Sequence, residues 1–147
     1  MKTIRQLLKA KGRDIWKVSP GMSVFDALQI MAEKDVGALL VVKGKTLVGV
    51  FSERDYARKV ILHGRSSKEI LVSEIMSSPP IIIELDNSVD QGLALMSAKH
   101  VRHLPVMDKN RLVGVVTIGD LVKSLMDEQK VVIDHLEKHI LTKSSLT

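Results

Sequence analysis

The sequence contains one seven-residue motif twice, at positions that lie 65 residues apart. Residues 49–55 are Gly-Val-Phe-Ser-Glu-Arg-Asp, and residues 114–120 are Gly-Val-Val-Thr-Ile-Gly-Asp. In each copy a hydroxyl residue follows the glycine by three positions, and an aspartate follows the hydroxyl residue by three more. The same offset aligns Ser23 with Ser88. Such a repeat indicates two copies of one structural unit, and its polar positions indicate that a binding surface was kept with the core.

The composition limits the class of protein. A chain of 147 residues suffices for one domain or for two half-sized units that share a core. The 45% hydrophobic content excludes a disordered chain, and the 3% aromatic content argues against a base-stacking nucleic-acid platform. The net charge of +5 is spread along the chain, and it suits an anionic ligand better than DNA. Cysteine is absent, and no apolar run approaches the roughly 20 residues of a membrane span. We therefore expect a cytoplasmic protein that binds neither nucleic acid nor a membrane.

The order of predicted elements is the same in both copies, β-α-β-β-α. Ser23 and Ser88 are predicted helix N-caps, with Asp26 and Gln91 in the capping-box position. A short amphipathic helix should precede the first copy and end at Gly12. The last helix continues its apolar spacing to about residue 141. The predicted strands are residues 15–18, 37–42, 47–51, 81–83, 104–107 and 112–116.

These elements predict an α/β (α+β) fold. Each unit alone is too small to bury the face of its sheet, so the two units should pack together as an intramolecular pair with pseudo-two-fold symmetry. We predict an N-terminal helical extension over residues 1–13, the first repeat over 14–72 and the second over 73–127. Residues 128–147 should form a C-terminal helix extension and tail.

The two hydroxyl-x-x-aspartate corners lie where a strand ends and a helix begins. A helix N-terminus offers unpaired N–H groups and a positive dipole end, to which the hydroxyl of Ser52 or Thr117 can add a donor for a phosphate. Asp55 or Asp120 can accept hydrogen bonds from the two hydroxyls of a ribose. The pattern therefore indicates a nucleotide site, although simple N-capping explains each corner taken alone. The duplicated spacing and the nearby cations favour binding; those cations are Arg54, Arg58, Arg102 and His103.

Other patterns carry little chemistry. Gly44-Lys45-Thr46 imitates the end of a P-loop, but a strand follows it instead of a helix, so we reject that interpretation. His135 and His139 are one helical turn apart and have no obvious third metal ligand. We predict no catalytic residue, no metal site and no catalytic cofactor.

Both copies of the motif match the nucleotide signature of the CBS (cystathionine-beta-synthase) domain, glycine-apolar-x-Ser/Thr-x-x-Asp/Asn. Residues 101–108, Val-Arg-His-Leu-Pro-Val-Met-Asp, also resemble the strand that precedes the signature in that family. The resemblance extends from about Asp14 to Leu125. The chain thus resembles a tandem CBS pair, also called a Bateman module, and a stand-alone CBS domain-containing protein.

The resemblance implies two clefts with different residues. In one, Asp120 would hold a ribose and Thr117 a phosphate, while other residues add charge or close the base pocket: Arg102, His103, Trp16, Val36 and Gly37. In the other, Asp55 would hold the ribose and Ser52 the phosphate. Arg54 and Arg58 would reach a further phosphate, and the base would lie among Gly37, Ala38, Ile81 and Ile83. Gly119 stands where the first copy has Arg54, so the two clefts need not bind the same ligand.

The resemblance further implies a regulatory module that binds AMP, ADP, ATP or NAD without turnover and changes its conformation or its affinity for a regulated protein partner. We also expect a homodimer, because the helices after Asp55 and Asp120 carry more apolar residues than one pair of sheets can cover. Two alternatives remain open. One is a structural or adaptor dimerisation module whose clefts bind no ligand. The other, which the residues favour less, is an enzyme acting on a nucleotide.

Overall fold

A computed structural model describes residues 2–145 of the chain and the side chains of residues 2–138. Two three-stranded sheets form, with the orders β1-β2-β3 and β4-β5-β6. The strands are β1 (Lys17–Val18), β2 (Ala38–Lys43), β3 (Thr46–Ser52), β4 (Ile83–Glu84), β5 (His103–Asp108) and β6 (Arg111–Thr117). The helices are α1 (Ile4–Lys11), α2 (Val24–Lys34), α3 (Glu53–Lys59), α4 (Val72–Ile75), α5 (Val89–Lys99) and α6 (Ile118–Ser145).

The two sheets have the same internal pairing, as the sequence repeat predicts. In each, the first strand runs parallel to the second and the second antiparallel to the third. Even the register shifts are equivalent, at Val41/Val42 and at Val106/Met107. Ser88 forms a complete capping box with Gln91, whereas Ser23 only accepts a hydrogen bond from the N–H of Asp26. The predicted mixed α/β fold with two equivalent units is thus confirmed.

The short helices α1 and α4 occupy equivalent places on opposite units. Val72 and Ile75 of α4 are buried in the core of the first unit, while Ile4, Leu7 and Leu8 of α1 are buried in the core of the second. The residue before α4 pairs with the N-cap of α2, and the residue before α1 pairs with the N-cap of α5 in the same way. The second core therefore contains a segment from the N-terminal end of the chain.

The long helix α6 begins in the second core and then leaves it. Leu121 is fully buried, but most of the apolar residues further along are exposed. The helix reaches Ser145, a little beyond the predicted residue 141, and the side chains of His139 and Ile140 lie outside the described ones. Within the described residues, every helix is too short or too polar to cross a bilayer.

Candidate functional site

The first corner is a closed capping box at the junction of β3 and α3. The hydroxyl of Ser52 accepts a hydrogen bond from the N–H of Asp55 at 3.2 Å. The carboxylate of Asp55 accepts in return from the N–H and the hydroxyl of Ser52, both at 3.0 Å. The N-capping role considered for Ser52 is therefore real, and it places the aspartate beside the start of the helix.

The other oxygen of Asp55 is also engaged. The hydroxyl of Ser77 donates to Oδ1 at 3.0 Å, and the ammonium of Lys59 lies 3.3 Å from the same atom. Lys59 donates at the same time to the carbonyl of Ile75 at 3.0 Å. Asp55 is only 8% exposed, so these partners stabilise a buried charge that would otherwise be costly. A ligand hydroxyl must replace one of them to reach the carboxylate.

The second corner has the same backbone geometry and a different cation. The N–H of Thr117 donates to Asp120 Oδ2 at 2.8 Å, and Thr117 Oγ1 accepts from the N–H of Asp120 at 3.1 Å. The ammonium of Lys11, the last residue of α1, donates to the same carboxylate oxygen and to the carbonyl of Val115. The residue equivalent to Lys59 in this unit is Ser124, which carries no charge. The charge of Asp120 is therefore balanced from α1, not from its own helix.

A cavity of about 740 Å³ lies between the two units, on the side of the first corner. Its volume is within the range of pockets that bind ligands of nucleotide size. Among the described residues, five cationic side chains line it against two carboxylates, those of Glu53 and Asp55. The lining cations are Arg54, Arg58, Lys59, Lys99 and Arg102. This excess of positive charge favours an anionic ligand.

Described residues of both units meet at this cavity. The guanidinium of Arg54 donates to the carbonyl of His100 at 3.2 Å, and His100 caps the C-terminal end of α5 in a left-handed conformation. A Cβ added to Gly37 would lie 3.3 Å from His103 Nε2, so a side chain there would require the imidazole to shift by a few tenths of an ångström. Residues from both repeats therefore form one wall.

Burial lowers the pKa of His103 from its ordinary value of 6.5. The nearby charges act in both directions. Glu53 and Asp120 raise the pKa of His103, whereas Lys11 and Arg102 lower it further. The imidazole is therefore held toward its neutral form. An anion entering the cavity would favour the imidazolium instead.

A family model of the CBS domain matches residues 6–62 and 72–127. The chain belongs to the CBS domain family. The CBS domain-containing protein CBSX3, mitochondrial, of Arabidopsis thaliana is 34% identical to it over 148 residues, which cover 94% of this chain and 71% of that protein. A solved protein with CBS domains from Burkholderia ambifaria is 48% identical, with a TM-score of 0.84 over 87% of this chain and 96% of that one.

A more distant CBS domain pair has been solved in complex with 5′-methylthioadenosine and S-adenosyl-L-methionine. It is 23% identical, with a TM-score of 0.77 over 87% of this chain and 98% of that one, and this similarity shows the fold alone. The tandem CBS pair expected from the duplicated signature is thus confirmed.

The predicted site residues fall into two groups in the CBS pair. Those that line the 740 Å³ cavity come from both predicted clefts: Gly37, Ser52, Arg54, Asp55, Arg58, Ile81, Arg102 and His103. The cavity lining does not include Ala38, Ile83, Thr117, Asp120, Trp16 and Val36. Ile83 is only 3% exposed and belongs to the second core, and the ring of Trp16 lies under the ammonium of Lys34 at 4.8 Å. Whether any of them binds a ligand stays a prediction.

Several residues near the CBS signatures gave no motif in the sequence. Lys59 is one helical turn after Asp55, a spacing that can indicate an ion pair. Ser77, Lys99 and Lys11 reach the site through tertiary packing, and nothing local in the sequence indicates it. Among the residues that the structure describes, no group of three or more His, Asp or Glu side chains is arranged to hold a metal ion.

Proposed function

We propose that this CBS pair is a non-catalytic regulatory module that binds an adenosine nucleotide in the cavity beside the first signature. The observation that carries the proposal is that the Ser52–Asp55 corner lines the same cavity as cations from both repeats. A lone capping box would explain the corner but not the five cations gathered around it.

Each part of a nucleotide has a matching group in the cavity. The ribose hydroxyls would donate to Asp55 and replace Ser77, whose own hydroxyl can rotate away, and Lys59, which keeps the carbonyl of Ile75 as an acceptor. The base would lie against the apolar lining, which includes Val50, Pro80 and Ile81. The phosphates would lie toward Arg54 and Arg58.

The ligand class is supported by the distant CBS pair solved with 5′-methylthioadenosine and S-adenosyl-L-methionine, two adenosine compounds. Within that class the lining cations favour more than one phosphate, so ADP, ATP or NAD should bind this cleft better than AMP. From the sequence alone, the Thr117–Asp120 corner, which has Gly119 in place of Arg54, would suit AMP where Asp120 is free to bind the ribose. A cytoplasmic location and the absence of a nucleic-acid or membrane partner remain expectations from the sequence.

A nucleotide in this cavity would act on the arrangement of the repeats, because the cavity walls come from both. Binding can shift a conformational equilibrium only by contacts that differ between the two states. The bond from Arg54 to the carbonyl of His100 is such a contact, since a phosphate would compete for the guanidinium. We propose that this exchange changes the arrangement of the repeats and thereby the affinity for a regulated protein partner.

We also propose a homodimer that is formed through the exposed helix faces. Of the apolar residues that follow the two signature aspartates, Val60 and Leu121 are fully buried in the cores and are not available for association. The apolar residues that remain exposed are Ile61 and Leu62, in a short 3-10 turn just after α3, and Ile118, Val122 and Met126 of α6. Contiguous exposed apolar residues of this kind mark association surfaces. Assembly varies in proteins of this fold, since one, the CBS-CP12 protein of bloom-forming cyanobacteria, is hexameric.

Titration calorimetry with AMP and ADP tests the nucleotide proposal. In the Arg54→Ala, Arg58→Ala double variant the affinity for ADP should fall by about tenfold or more, because charge-assisted bonds are lost, and the affinity for AMP should fall less. Arg111→Ala is the matched control, since Arg111 is exposed and does not line the cavity.

Equal losses for AMP and ADP would show that these arginines do not select by phosphate count. Absence of binding by either nucleotide would favour the adaptor alternative. Conversion of a bound nucleotide into a product would favour the enzyme alternative.

A further inference from the structure

The position of Lys11 is fixed by the docking of α1. Leu8 is fully buried, and a Cβ added to Gly114 would lie 2.8 Å from its Cδ1 atom, so α1 packs closely on β6. Lys11 follows Leu8 by three residues and therefore points from the same side of the helix. Gly12 ends the helix directly afterwards, with φ of 101° and its N–H donating to the Leu8 carbonyl at 2.7 Å. The ammonium is thereby held at the end of β6, beside the second signature.

The ammonium occupies part of the carboxylate that the second cleft would use. Lys11 and the N–H of Thr117 both donate to Asp120 Oδ2, and Lys11 donates as well to the carbonyl of Val115 at 2.8 Å. Oδ1 of Asp120 accepts no hydrogen bond from the described residues. A ribose diol that binds through both carboxylate oxygens needs Oδ2, so it competes directly with Lys11.

The equivalent bond in the first cleft is of a different kind. Lys59 lies 3.3 Å from Asp55, on the same helix, and it lines the open cavity where ligand phosphates would lie. When a ribose displaces the ammonium of Lys59 from Asp55, the ammonium therefore stays near the ligand. At the second corner Ser124 replaces that lysine, and the cation comes from α1, which is anchored in the core. Removal of Lys11 from Asp120 gives up a bond that the packing of α1 preorganises.

We propose that Lys11 determines what the second cleft accepts, by masking the ribose-binding carboxylate of Asp120 so that nucleotide binds only at the first cleft. The inference rests on the proposed function, because the probe, AMP, is chosen from the adenosine nucleotides proposed there as ligands. The new points are that the second cleft is masked and that Lys11, a residue outside both signatures, masks it.

The test is the number of AMP molecules bound per full-length chain, measured by equilibrium dialysis. The unaltered protein should bind one, and Lys11→Ala should bind a second, with an affinity at that site at least about tenfold higher than in the unaltered protein, the gain expected from removal of one charge-assisted competitor. Lys9→Ala is the matched control, because Lys9 is exposed on the same helix and has no partner among the described residues. That control should keep one AMP per chain.

Two further variants separate masking from a general disturbance of α1. Lys11→Met keeps most of the apolar stem and cannot donate a hydrogen bond, so it should also gain the second site. Lys11→Ala combined with Asp120→Ala should lose the gained site, since masking acts only through that carboxylate. Persistence of the gained site in this double variant would overturn the proposal.

The outcome is independent of the first cleft. If the unaltered protein binds no AMP and Lys11→Ala binds one, the first-cleft function fails and the masking stands. If Lys11→Ala and Lys11→Met bind as many AMP molecules as the unaltered protein, whatever that number is, the masking is wrong.

Discussion

Replacement of Gly49 by alanine should destabilise the protein more than replacement of Gly114, its equivalent in the second repeat. Neither glycine has a positive φ, so the difference is steric. A Cβ on Gly49 would lie 2.7 Å from Met76 Sδ and 2.9 Å from the backbone carbonyl oxygen of Ser77. A Cβ on Gly114 would lie 2.8 Å and 3.2 Å from the two methyl carbons of Leu8, which are the far end of a flexible side chain and not backbone.

The backbone obstacle at Gly49 is held in place by hydrogen bonds. Ser77 donates to the carbonyl of Val50 at 2.9 Å and accepts from its N–H at 3.1 Å, so the Ser77 carbonyl cannot retreat without loss of this pairing. Overpacking of a core costs about 1–3 kcal/mol, and the lower chain entropy of alanine in the unfolded state returns about 0.4–1 kcal/mol. We expect a net loss of about 2 kcal/mol for Gly49→Ala and of about 0.5 kcal/mol for Gly114→Ala.

Urea unfolding followed by circular dichroism, at one fixed protein concentration, measures both losses. For a chain of this size about 2 kcal/mol corresponds to a decrease in Tm of roughly 4–8 °C. Equal losses in the two variants, or a greater loss in Gly114→Ala, would refute the argument that the backbone of Ser77 is the rigid obstacle.

Two further predictions concern association and pH. Sedimentation at micromolar protein, with and without AMP, should show a dimer, and a monomer under both conditions would contradict it. Met126→Glu should weaken the dimer because a charge replaces an exposed apolar side chain on α6. Burial holds the pKa of His103 below its ordinary value of 6.5 in the folded state, so on acidification the unfolded chain is protonated at His103 before the folded chain is. The free energy of unfolding should therefore fall as the pH drops below about 6.5. His103→Gln should remove that part of the pH dependence in urea titrations at about pH 7.5 and 5.5, and an unchanged dependence would exclude His103 as its source.

The elements that the sequence predicts well have strong local signals. The seryl N-caps, the turn glycines and the apolar strand runs lie within a few residues of the structures they determine, and the repeat doubles each signal. The Ser52–Asp55 and Thr117–Asp120 corners were predictable for the same reason, since a capping box spans only four residues.

The parts that the sequence does not predict depend on contacts between distant segments. Thr3 gives α1 a clear start, but its capping box does not indicate that the helix packs in the second core. Ser77 and Lys11 reach their aspartates across 22 and 109 residues of chain. Likewise, Arg102 and His103, expected with Asp120, line the cavity of the first corner, although His103 also lies near enough to Asp120 and Lys11 for their charges to act on its pKa.

A signature aspartate that is partly buried at a helix N-terminus is stabilised by a nearby cation as well as by backbone N–H groups, because the charge loses solvation there. The first repeat supplies it from the same helix, through Lys59. The second repeat has Ser124 at that position, and the cation comes from α1. The two signature aspartates thus differ in the source of their cation: that of Asp55 comes from its own helix, and that of Asp120 depends on how α1 is docked. A change that loosens α1, such as Leu8→Ala, should therefore alter the second corner and leave the first unchanged.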